Sequence, residues 1–488
     1  MRITVNRKKE RYYPDSKRVI TRFFAHLEMK AKSIISKILD MSEQEAEISL
    51  NQVLREFAKR HRNIIKIFLT NYAKVSQYIN EFPENPEKMS STKRLLVGSF
   101  FTMEYSVESA ALFNPSIVEH PEQSGLEEGQ VRIIMSYRAT GESHISSIVF
   151  RSGIIDKNNN LTFDPKGNYV AEAETIKDHI YDKKEFIAIL QEHEVRNSLS
   201  TEILSKLNDE FYYTDLKDLI NQIRDTRKLN LDEQKTIKQM MWLAKSHYEI
   251  LFSQETDISE RVIFPVSTTE SRGIEDARFV KFIDDDGEIT YYATYTAYDG
   301  YTILPKLLET KDFYHFKNLP LHGECIKDKN FSLFPRKVNG QYAMLSRIDG
   351  VNHYIMFSDS LTLWDHATLL LEPKYTWELI QIGNCGSPIE TPDGWIVITH
   401  GVGQMRKYSL GAILLDLQDP TKVIGSLKEP LIVPNEDERE GYVPNVVYTC
   451  GAIINNNELI IPYAISDYAS SFATVNVKVL IEKLKEPD

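Results

Sequence analysis

Over the first eighty positions apolar residues recur at three- and four-residue spacing. Ile20, Phe23, Phe24, Ala31 and Ile34 form one set; Ile64, Ile65, Ile67, Phe68 and Tyr72 form another. That period predicts amphipathic helices from Ser16 to about Glu81. Pro83, Pro86 and the polar run Ser90–Thr92 then mark a boundary. The pattern changes beyond it: Val131–Arg138 and Ile145–Phe150 predict strands, with a turn at Asn158-Asn159-Asn160. Helical spacing returns between about Ala171 and Ser253, in Lys184–His193, Leu216–Arg224 and Leu231–Leu251. No glycine occurs between Gly167 and Gly273, which suits helices better than hairpins. From Val262 to Thr474 short apolar runs and turn signals predict strands.

Those later strands repeat. Asp286-Gly287, Asn339-Gly340 and Asp393-Gly394 each separate two apolar runs as a hairpin turn would. Their glycines fall 53 and 54 residues apart. In each case the second strand runs into polar residues: Tyr298-Asp299, Ser346-Arg347 and His400. Leu459–Ile465 does the same at Ser466-Asp467, and Ile133–Arg138 adds a fifth case upstream. A period near fifty residues, with several strands per unit, is that of a propeller blade. The expected fold is an all-β five-bladed β-propeller with an α-helical N-terminal extension and a helical insertion. The expected segments are 1–92 (extension), 93–170 (first blade region), 171–255 (insertion) and 256–488 (remaining blades). The mixed run Val475–Leu484 is expected to close the ring.

Composition narrows the function. The 488 residues carry a formal charge of −12, which argues against a broad nucleic-acid-binding surface. Tyr and Phe number 25 and 22, a supply that suits strands and, in a cleft, sugar rings. Cys325, Cys385 and Cys450 form no CxxC pair, so buried thiols are expected rather than a disulfide or zinc knuckle. No run approaches eighteen apolar residues and the basic N-terminus lacks an apolar core, so a cytoplasmic protein without membrane contact is expected. Nucleotide-loop, zincin and nucleophile-elbow motifs are absent. The acidic run Asn435–Glu440 reads as a solvated loop, and no metal is expected.

Candidate chemistry centres on Ser271-Arg272-Gly273-Ile274-Glu275-Asp276-Ala277-Arg278-Phe279. Strand alternation lets only one of Glu275 and Asp276 face a central cleft, the other bracing the wall. Arg272 and Arg278 either ionise both or tune one, so a structural ion cluster and a proton-transfer pair both stay open. Lys329, Arg347 and His400, with Arg138 from an earlier unit, occupy equivalent strand ends. Converging, they would seat an oxyanion or a phosphate. Singly, each reads as a surface charge or a core histidine.

From Phe113 to Asp467, outside the insertion, these residues resemble glycoside hydrolase family 130, the mannoside phosphorylases and related mannosidases. Phe113-Asn114-Pro115, Tyr137-Arg138-Ala139, Gly273–Arg278, Thr294–Gly300, Asp328–Pro335, Ile382-Gly383, Gly394-Trp395 through His400-Gly401, Leu415-Asp416 through Asp419-Pro420 and Ser466-Asp467 carry the likeness. It implies a five-bladed propeller and inverting phosphorolysis of a β-mannoside to α-mannose 1-phosphate. Asp276 would be the general acid, acting through a mannosyl hydroxyl. Lys329, Arg347 and His400 would seat inorganic phosphate, the co-substrate, with no cofactor. Glu275, Arg278, Tyr298 and Asp467 would hold the mannosyl unit, with Asn114 and Arg138 lining the same pocket.

Three positions depart from the family pattern: Ala277 for proline, Gln381 for lysine and Ser346 for histidine. A hydrolase of this family would use water and a carboxylate base, for which Glu390 and Glu440 are the candidates. A carbohydrate-binding propeller without catalysis is the reading from another class. The long helical additions resemble members acting on β-1,2-linked mannosides. The expected partners are therefore a small oligosaccharide, phosphate and a second copy of the chain in a dimer.

Overall fold

A computed structural model of the chain describes residues 3–79, 89–176, 179–192, 195–301 and 303–486. Pro83, Pro86 and His193, named above, lie outside them. The protein is mostly β with helical additions, and its main strands form five antiparallel meanders in chain order. The first holds Ala111–Glu119, Val131–Thr140, Ser146–Ile155 and Leu161–Phe163; the second Gly273–Ile283, Ile289–Tyr298, Ile303–Thr310 and His315–Pro320. Sheet three runs from Lys329 to Leu371, sheet four from Gln381 to Ser426 and sheet five from Val447 to Asn476. Gly273 pairs in parallel with Ser146, joining sheets one and two.

Both faces of the inner strands, such as Gly394–Val402 and Glu458–Ile465, are buried, which explains why they read as continuous apolar runs. Along Gly394–Val402, Trp395 and Val397 pack on sheet three while Ile396 and Ile398 pack on sheet five. Similar apolar layers separate sheets one and two (Ile134, Phe150, Phe279), two and three (Val280, Phe331, Met344) and five and one (Ile460, Phe472, Met135). Each sheet thus touches the next, and the fifth touches the first.

The N-terminal helices are α1 (Ala31–Asp40), α2 (Glu43–Phe57), α3 (Ile64–Ile79) and α4 (Ser91–Phe100). Ser42 starts α2 with a reciprocal cap to Glu45. The insertion holds α5 (Lys183–Glu192), α6 (Ser198–Lys206), α7 (Tyr213–Thr226) and α8 (Leu231–Ser246), which share a core around Phe186, Leu216 and Met240.

Three expectations are corrected. Val19–Phe23, inside the stretch expected to be helical, is a strand paired with Thr102–Ser106, a distant partner that no local pattern reveals. The insertion also contains strands, and the expected helix Leu231–Leu251 stops at Ser246. Tyr248–Leu251 then adds to the edge of sheet two beside His315–Pro320, with Glu174–Ile176 outside it. Finally, the run Val475–Leu484 is mixed as expected, strand to Asn476 and then helix α9 (Val477–Leu484), but the strand added at the edge of sheet five is Asn6–Arg7, from the opposite end of the chain.

Candidate active site

The first strand of every sheet is interrupted at one level. Register shifts lie between Phe113 and Ser116, Glu275 and Arg278, and Lys329 and Ser332. Each contains a left-handed residue: Asn114 (φ 48°), Asp276 (φ 53°) and Asn330 (φ 71°). Asn and Asp tolerate that conformation because their short polar side chains bond locally. In sheets four and five the first strand splits outright, after Asn384 and after Tyr448. The breaks turn polar side chains inward and leave backbone groups for the neighbouring sheet, as where Cys450 N–H donates to Pro115 O at 2.8 Å.

The bulge overturns the alternation argument for the acidic pair. With Asp276 left-handed, both carboxylates reach Arg138, at 2.7 Å from Glu275 Oε1 and 3.4 Å from Asp276 Oδ1. Asn114 Nδ2 donates to the same Asp276 oxygen at 2.6 Å, and Lys329 Nζ donates to Glu275 Oε2 at 2.9 Å. Arg272, expected to ionise the pair, is exposed, and only its backbone N–H bonds inward, to Tyr298 O. Arg278, expected on the sugar, is buried and donates to the Asp276 carbonyl (3.0 Å) and the Tyr448 hydroxyl (2.7 Å). It therefore braces the bulge from behind. Tyr298 is half-buried, its hydroxyl donating to Gly300 O.

Lys329 and Arg347 are cross-strand partners, so their side chains leave the same face of the sheet; Lys329 Nζ meets Glu275, and Arg347 Nε lies 3.6 Å from Asp328 Oδ2. Arg347 Nη1 lies 3.4 Å from His400 Nε2, and His400 Nδ1 lies 3.6 Å from Cys385 Sγ. Arginine can only donate, so Nε2 accepts and the imidazole proton belongs on Nδ1. Burial, with Arg347 and Arg278 nearby, drives His400 well below the usual histidine range. In the free protein His400 is thus a neutral, buried neighbour of Arg347 rather than a third cation.

The carboxylates divide. Burial raises Asp276, but Arg138, Arg278 and the Asn114 bond outweigh it, and the net pKa is lowered. Asp467, left-handed at φ 50°, is pushed up to about 7 by burial, opposed by Arg138 and raised further by Asp276. With a pKa of about 7, Asp467 is about half protonated at neutral pH in the free protein, whereas Asp276 is ionised.

Glu390 is corrected as a water-activating base. Both its oxygens take bonds from Arg336, at 2.6 and 2.8 Å. It lines a cavity of about 940 Å³ with Glu119, Lys281, Asp284 and Asp393. That cavity lies where the first strands leave the site, at the far end from Asp276. Glu440 is exposed on the loop before sheet five. Sequence reasoning passed over Tyr448, whose hydroxyl accepts from both Arg278 and Asn330, and Asn384, which donates to Ser332 Oγ at 2.6 Å. Asparagine within an apolar strand was the available signal for Asn330 and Asn384; Tyr448 offered none.

Residues 232–486 match the model of glycoside hydrolase family 130, described as β-1,4-mannooligosaccharide phosphorylase. That span holds every candidate residue except Asn114 and Arg138. A 1,2-β-oligomannan phosphorylase of Thermoanaerobacter sp. (strain X514) is 39% identical over 216 residues, 43% of this chain and 70% of the relative. A β-1,2-mannobiose phosphorylase of Listeria innocua serovar 6a is 31% identical over 232 residues, 46% of this chain and 63% of the relative. The family match covers more than half of the sequence and takes in both the acidic bulge and the paired cations opposite it: the chain belongs to glycoside hydrolase family 130.

Proposed function

We propose that the protein cleaves β-mannosides by inverting phosphorolysis, with β-1,2-linked mannobiose or oligomannan as substrate and α-mannose 1-phosphate as product. The observation that carries this reading is the adjacent pair Lys329 and Arg347, on neighbouring strands, with Lys329 tied to the carboxylate next to Asp276. Two cations of this kind suit a phosphate dianion. The relatives named above support the linkage. The five meanders, each packed on the next and the fifth on the first, support a five-bladed propeller with this site at one end of its axis.

In the mechanism the mannosyl unit lies against Glu275, Asp276 and Asp467. Phosphate at Lys329 and Arg347 offsets the positive charge that holds Asp276 ionised, so its pKa rises as the nucleophile arrives. Asp276 Oδ1 carries the bonds from Asn114 and Arg138, and Oδ2 is left to take up a proton from solvent water as that pKa rises. Asp276 then delivers that proton toward the glycosidic oxygen, by way of a mannosyl hydroxyl. A phosphate oxygen attacks the anomeric carbon from the opposite face as the bond to the leaving sugar breaks. The anion is already nucleophilic, so no base is needed, and Glu390 is in any case engaged elsewhere.

The test is incubation with β-1,2-mannobiose with and without millimolar phosphate. Mannose 1-phosphate formed only with phosphate is the expected result. Free mannose released equally in both would make water the nucleophile and sink the proposal.

A further inference from the structure

The exposed aromatics are unevenly placed. Among the described residues six Phe or Tyr side chains are exposed, and three of them, Tyr13, Tyr442 and Tyr468, belong to one cluster beside Asp467. Tyr468 follows Asp467 directly and its ring lies 6.1 Å from that of Tyr13. Gly441 packs against Ser466 and Tyr468, and Val443 N–H donates to Ser466 O, which fixes Tyr442 over the same corner. Across the junction with sheet one, the Tyr442 hydroxyl bonds His144 Nδ1 at 2.9 Å, the rings 5.6 Å apart. His144 and its neighbour Ser143 are both left-handed, at φ 60° and 58°, in the hairpin beyond Arg138. Tyr442 is thus held at its hydroxyl while 51% of its surface stays open.

A tyrosine ring pinned at its polar tip and half exposed suits stacking on something flat and partly apolar. The C–H face of a hexose has that character. Continuity decides the occupant, because the cluster begins at the residue next to Asp467 and leads outward. We propose that Tyr442, supported by His144 and flanked by Tyr468 and Tyr13, is a platform for mannosyl units beyond the two joined by the cleaved bond. It sets a preference for longer chains over the disaccharide. This rests on the β-mannoside reading given above.

The test compares binding of β-1,2-mannotetraose and β-1,2-mannobiose by titration calorimetry, without phosphate, in wild type, Tyr442→Ala and Tyr442→Phe. Wild type should bind the tetraose about tenfold more tightly than the biose, a stacking-sized advantage. Tyr442→Ala should reduce that ratio to within about twofold, and Tyr442→Phe, which keeps the ring, should retain most of it. Should Tyr442→Ala unfold, Tyr468→Ser gives the same comparison, with a smaller expected loss. A ratio near one in wild type, or one unchanged in the alanine variant, overturns the platform. Binding is read here without turnover, so failure to form mannose 1-phosphate would strike the catalytic proposal and leave this result standing.

Discussion

Two carboxylate–cation clusters lie within ten residues of each other, and they are built to opposite specifications. Glu270 and Lys306 are completely buried and bonded at 2.8 Å. Glu270 also accepts from the Tyr248 and Tyr295 hydroxyls and from the Val266 and Ser267 backbone, while Lys306 donates to Ser246 O and Ser267 Oγ. This network ties the last insertion helix to sheet two and pins the turn that enters the acidic strand. Glu275 and Asp276, just beyond it, keep side chains 17% and 18% exposed, share one arginine and sit in a bulge. The first cluster has its hydrogen-bonding capacity spent; the second keeps a carboxylate oxygen and a lysine, 33% exposed, available. Burial and charge pairing alone therefore do not mark a site. Unspent capacity in a strained backbone does.

Breaking each cluster should show the contrast. Asp276→Asn keeps the shape and removes the proton, so turnover should fall by roughly two to four orders of magnitude with the melting temperature little changed. Lost stability with retained turnover would exchange the roles assigned to the two clusters. Lys306→Met leaves Glu270 buried without its cation and should cost about 3–5 kcal/mol in urea unfolding, most of it recovered by adding Glu270→Gln. A loss below about 1 kcal/mol would show that the network is not structural.

A smaller effect sharpens the same contrast through pH. Asp467 has a folded pKa of about 7, raised above its unfolded value, so the folded protein binds the extra proton in the interval between them. Its contribution to stability is therefore full below the unfolded carboxylate pKa and is lost as pH rises through about 7. Asp467→Asn should melt higher than wild type near pH 8, the gap closing toward about pH 4. A gap that widens on acidification would contradict the assignment.

Much of this was legible in the sequence, for reasons that particular residues make plain. Asp286-Gly287, Asn339-Gly340 and Asp393-Gly394 marked their hairpins because Gly287, Gly340 and Gly394 all have positive φ. The residues at the strand ends, Arg138, Arg347 and Asp467 among them, were brought to one region by that repeat. What escaped was long-range or conformational. Val19–Phe23 and Asn6–Arg7 are strands only through distant partners. The facing of Glu275 and Asp276 depended on a bulge, and the neutrality of His400 depended on burial beside Arg347. Glu390 fits the charge pattern of a base, yet Arg336 and its position at the far end of the strands remove it.

The central claim is a single displacement, with phosphate at Lys329 and Arg347 attacking opposite Asp276. The most direct test is proton NMR of the first mannose 1-phosphate formed from β-1,2-mannobiose and phosphate, before any equilibration. The α anomer is the result this account predicts. The β anomer would require two displacements and a covalent intermediate, and would contradict it.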